Sequence, residues 1–69
     1  MSLGNRLFHA RKKQGLSQED VAGKLGVSRQ TVSKWETDET LPDIRQAKQM
    51  ARLYNLSLDE LIEFDVDLQ

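Results

Sequence analysis

The sequence predicts an all-α chain, and three observations carry that prediction. Apolar residues return at three- and four-residue spacing in five successive stretches. Helix-capping residues stand ahead of those stretches: Ser17 with Asp20, Ser28, Pro42-Asp43, and Ser57 with Glu60. Gly15, Gly26 and Asn55 follow the first, second and fourth stretches, where a residue able to turn left-handed closes a helix.

The first helix runs from Leu3 to Lys13, because Leu3, Leu7 and Ala10 share one stripe. Gln14-Gly15 ends it. Lys12 and Lys13 sit in its last turn, where cations offset the helix dipole. Arg11 lies at the edge of the buried stripe. Phe8 falls off the stripe and either covers a flank of the bundle or offers a small sticky spot to a partner. His9 is the only histidine. With no cysteine, second histidine or hydroxyl–carboxylate arrangement placed beside it, it reads as a surface residue rather than a base or ligand.

The second helix spans Gln18 to Leu25, with Val21, Ala22 and Leu25 on one face. Gly23 inside it costs about 1 kcal/mol relative to alanine, which suggests that another helix approaches closely there. Gly26 closes the helix, and Val27 plugs the corner that follows. Ser28 caps a third helix, Arg29 to Glu36. Two short helices around a tight glycine turn make a helix-turn-helix. At about 100° per residue, Arg29, Ser33, Gln30 and Lys34 fall within an arc of about 140°. Thr31, Trp35 and Val32 occupy the opposite arc, so Trp35 is read as core rather than as a stacking platform.

Pro42 and Asp43 open the fourth helix, Pro42 suiting its first turn. Ile44, Ala47, Met50, Ala51 and Tyr54 share a core face. Ser57 and Glu60 repeat the capping-box pattern ahead of a fifth helix carrying Leu58, Leu61 and Ile62. Phe64 to Leu68 alternate with period two and read either as a short strand or as a frayed acidic end. Residues 3–63 therefore form one domain, and 64–69 a short tail.

Composition narrows the function. Sixty-nine residues hold one small core, with stability on the order of 5 kcal/mol. No cysteine is present, so disulfides and thiolate metal sites are excluded and a reducing cytoplasm is compatible. No metal site, cofactor motif or small-molecule ligand is indicated. Neither a membrane-length apolar run nor a signal-peptide pattern appears. An enzyme is disfavoured, since no nucleophile–base pair or metal cluster is found. The net charge of −1 hides a polarity. Up to Glu36 there are seven basic and three acidic residues, net +4; from Thr37 onward three basic and eight acidic, net −5. Such an asymmetry turns one end towards a polyanion and the other away.

The polar arc of the third helix holds the side chains that read base edges: arginine for guanine, glutamine for adenine, serine for either, lysine for guanine or phosphate. Leu16-Ser17-Gln18-Glu19, Leu25-Gly26-Val27-Ser28, Val32-Ser33-Lys34-Trp35-Glu36 and Leu41-Pro42-Asp43 resemble the lambda-repressor-like, Cro/C1 or Xre family of DNA-binding domains. The resemblance covers Leu3 to Ile62. It implies a five-helix bundle whose third helix lies in the major groove. It further implies Gln18 on the DNA backbone, and Ser28, Arg29, Gln30, Ser33 and Lys34 facing the DNA. Arg29 and Gln30 would carry base readout. It also implies a structural ion pair between Arg11 and Glu36. One departure stands out: the family often carries Asn-Gly and a lysine where this chain has Asp38 and Glu39, two charges that would repel phosphate. The expected activity is sequence-specific binding of double-stranded DNA by a homodimeric regulator, most simply a repressor, on a two-fold symmetric operator. The alternative is a protein-binding helical module with weak or lost DNA affinity.

Overall fold

The computed structural model describes residues 2–62. Five helices follow one another: α1 Leu3–Lys13, α2 Gln18–Leu25, α3 Arg29–Glu36, α4 Ile44–Leu53 and α5 Leu58–Ile62. No strand occurs among the described residues. The tail, 64–69, lies outside them, as does Glu63. α2 packs on α3 and on α4, while α1 packs on α3 and on α5, and α4 closes on α5. The common core is Leu7, Val21, Ala22, Val32, Trp35, Met50, Ala51, Tyr54 and Leu61. Trp35 is buried, as its wheel position requires.

The helix ends are local chemistry. Ser17 and Asp20 form a reciprocal capping box, and Ser28 accepts from the Thr31 amide. Ser57 and Glu60 exchange the same pair of bonds, at 3.0 and 2.8 Å. Gly15, Gly26 and Asn55 all take positive φ. After each comes an apolar residue, Leu16, Val27 or Leu56, that folds back onto the core. Its amide donates to a carbonyl five residues earlier: Arg11, Ala22 and Ala51 respectively.

Three readings need correction. Pro42 stands outside α4, because Asp43 is the N-cap and pairs reciprocally with Gln46. Ile44 is 64% exposed rather than core; it occupies the first position of α4, a turn before the helix reaches the core at Ala47. Gly23 receives no neighbouring helix, since a methyl group there would meet nothing within 4 Å. Its only effect is the entropic cost of a helical glycine, so Gly23→Ala is expected to stabilise the fold by about 0.5–1 kcal/mol, read from urea denaturation.

Asp38 has a structural role beyond its charge. It is a further left-handed residue, φ 64°, and it ends α3. The Asp38 amide donates to Trp35 O and the Glu39 amide to Lys34 O, the paired bonds of a Schellman turn. Its carboxylate accepts from the Gly4 amide at 2.9 Å. Ser2 caps α1, its hydroxyl accepting from Asn5 N. Together the Ser2 hydroxyl and the Gly4 amide hold the Asp38 carboxyl below its usual range. Asp38 therefore docks the start of α1 on the end of α3. Glu39 is engaged as well, accepting from the Thr37 hydroxyl at 2.9 Å.

Candidate nucleic-acid interface

The side of α3 away from the core is polar and open. Arg29, Gln30 and Lys34 are exposed and Ser33 is half-buried, while Val32 and Trp35 of the same helix are buried. Ser28 is exposed, but its hydroxyl is engaged in capping and lies 2.9 Å from the Thr31 hydroxyl. A short helix holds this face rigidly because both its ends are tied: Ser28 at the start, the Asp38 turn at the finish.

Behind the face lies a polar chain running into the bundle. Arg11 is 7% exposed. Its Nε donates to Glu36 Oε2 at 2.6 Å and its Nη2 to Glu36 Oε1 at 3.1 Å, a bidentate pair. Its Nη1 donates to the Leu16 carbonyl at 2.8 Å. The hydrogen bonds that Arg11 donates to Glu36, more than the carboxylate charge alone, raise the Arg11 pKa against the opposing effect of burial. The Phe8 ring, 38% exposed, lies 5.5 Å from the Arg11 guanidinium carbon and 5.9 Å from Lys12 Nζ. Phe8 thus covers this flank. The Tyr54 hydroxyl is buried with no hydrogen-bond partner among the described residues, and burial pushes its pKa up.

Gln18 joins the ion pair to the open face. Its Nε2 donates to Glu36 Oε1 at 3.0 Å, which fixes which end of the amide points inward. The amide oxygen then faces outward and accepts from Arg29 Nη1 at 3.4 Å. The structure so brings Gln18 and Arg29 together at the junction of α2 and α3; Gln30, Ser33 and Lys34 form no side-chain bond of their own among the described residues. Sequence periodicity could not find the Glu36–Gln18 link, because the partners stand eighteen positions apart.

A family description reading helix-turn-helix matches residues 7–61. The chain belongs to the helix-turn-helix family. This helix-turn-helix chain is 40% identical over 65 residues to the HTH-type transcriptional regulator ImmR of Bacillus subtilis (strain 168), covering 94% of this chain and 51% of that protein. It therefore spans about half the length of that relative. It is 37% identical over 60 residues to an HTH-type transcriptional regulator of Archaeoglobus fulgidus, covering 87% of this chain and 86% of that one. Its fold matches the P22 c2 repressor crystallised with a synthetic operator, with a TM-score of 0.86, 29% identity, and coverage of 94% of this chain and 98% of that one. The helix-turn-helix bundle is thus of the lambda-repressor-like type. None of its described helices is long and apolar enough to cross a membrane, and the described residues contain no group of three or more metal-ligating side chains.

Proposed function

We propose that the chain binds double-stranded DNA sequence-specifically, as a cytoplasmic transcriptional regulator acting as a repressor and not as an enzyme. The observation that carries this is the open, hydrogen-bonding side of α3, with Arg29, Gln30 and Lys34 exposed on a helix whose other side is core. Helix α3 enters the major groove with its N-terminal residues deepest. Arg29 and Gln30 read base edges, while Ser28, Ser33, Lys34 and the main-chain amide of Gln18 at the start of α2 position the domain, 3–63, on the backbone. The likeness to a repressor bound to its operator supports this reading. In the acidic loop, the feature favouring a module without DNA affinity, Asp38 also has a structural role in docking α1. Two copies on half-sites about 10–10.5 base pairs apart would place two α3 helices in successive turns of the groove.

Selection from random duplexes should enrich a two-fold symmetric site. Failure to enrich any site overturns the proposal. Arg29→Ala is expected to cost about 1–3 kcal/mol on that site and to relax preference at one base pair. Lys34→Ala should shift all sequences together and reduce the salt slope by about 0.9, read by titration at several salt concentrations.

A further inference from the structure

The acidic second half of the chain contains three basic residues, and all three lie on α4: Arg45, Lys48 and Arg52. Their spacing, three and then four residues, sets them on one helix face over about 10 Å. All are exposed, and none pairs with a carboxylate among the described residues. With Gln49 they line a hollow of about 230 Å³. A second hollow, of about 290 Å³, adjoins it where Gln49, Arg52 and Leu53 face Lys24 and Leu25 at the end of α2.

Two features choose the occupant. Among the described residues the large apolar side chains left exposed are Phe8, Leu41 and Ile44, and none lines either hollow; the first hollow is lined by cationic and amide side chains alone, with apolar lining confined to Leu25 and Leu53 of the second, whereas a protein interface needs an apolar centre. A cationic, amide-bearing strip is instead suited to a phosphate backbone, and about 10 Å of one B-DNA strand presents about three phosphates. The strip is separate from the reading face. Helix α2 packs against both α3 and α4, and Lys24 stands at the opposite end of α2 from Gln18, which meets Arg29.

We propose that the Arg45–Lys48–Arg52 face of α4 is a second phosphate-backbone site, which takes a DNA segment other than the one α3 reads. The proposal rests on α3 being the reading helix. It gives each copy two DNA contacts, one specific and one indifferent to sequence.

The test uses the whole chain and two duplexes with different fluorophores. One is a short selected site in saturating amount; the other is an unrelated duplex. The wild-type complex should bring the two together, with a salt slope of about −2.7 for the second duplex. A triple variant, Arg45→Gln, Lys48→Gln and Arg52→Gln, should keep its affinity for the selected site within about twofold and bridge at least about tenfold less. Arg45→Lys with Arg52→Lys, which keeps the charges, should still bridge. Equal bridging by the triple variant overturns the proposal, and so does an equal loss on the selected site, which would merge α4 into the α3 interface. The α3 reading fails separately: Arg29→Ala would then leave the selected site unaffected. The Arg29→Ala, Lys34→Ala variant reads the α4 face alone, by retaining the unrelated duplex if the proposal holds and losing it if not.

Discussion

Glu36→Ala is expected to destabilise the fold by about 3–5 kcal/mol, against a total on the order of 5 kcal/mol for a chain of this size. The variant should keep at most about 2 kcal/mol and be partly unfolded at room temperature, as read by circular dichroism and urea titration. The size follows from burial. The two side chains are 9% and 4% exposed, so the pair is dry, and removing the carboxylate strands the Arg11 guanidinium without its two strongest acceptor contacts. An exposed pair would cost less than about 1 kcal/mol. The companion variant separates a missing partner from a net electrostatic gain. Arg11→Met with Glu36→Leu removes both charges and should recover most of the loss, because two desolvation costs vanish along with the attraction. A double variant as unstable as Glu36→Ala would contradict this account. The same double variant frees Gln18, whose amide then has no acceptor on its inner side. Selectivity at the Arg29 base pair should fall even where the fold is recovered.

Most of the fold was legible because most of it is local. A serine at the head of an apolar stripe, or a glycine or asparagine past its end, specifies a helix end whatever the rest of the chain does, and Ser17, Ser28, Gly15, Gly26 and Asn55 behave so. The open side of α3 was legible for the same reason: periodicity alone separates Arg29, Gln30 and Lys34 from Val32 and Trp35. The illegible parts depend on partners distant in sequence. Ile44 fits the α4 stripe, but a stripe does not reveal where the neighbouring helices stop. Gln18 reads as an ordinary first-turn residue until Glu36 is found against its amide. Asp38 reads as a loop charge because nothing near it in sequence shows why a non-glycine residue should turn left-handed. Its reason is Gly4, thirty-four positions away.

Gly4→Ala is the other large effect expected, a loss on the order of 2–3 kcal/mol. Gly4 is buried within α1. A methyl group there would stand 2.7 Å from the carbonyl oxygens of both Trp35 and Glu36, and 2.8 Å from Asp38 Oδ1. Two of those three atoms are backbone at the end of α3, so no rotamer change relieves the clash. Helix α1 must lift, and the 2.9 Å bond from the Gly4 amide to Asp38 lengthens with it. This gives a second readout in acid. Asp38 is held below its ordinary range by Ser2 and Gly4, so the stability it contributes is complete above the ordinary carboxylate value and is lost as pH falls through the lowered one. Gly4→Ala weakens the cause of the shift, so the variant should show a shallower acid-side dependence of stability than the wild type. Asp38→Asn should shallow it further while leaving the steric fit at Gly4 intact. Urea midpoints measured between pH 2 and pH 6 would separate the two, and an unchanged acid slope in both variants would remove Asp38 as the clasp between α1 and the reading helix.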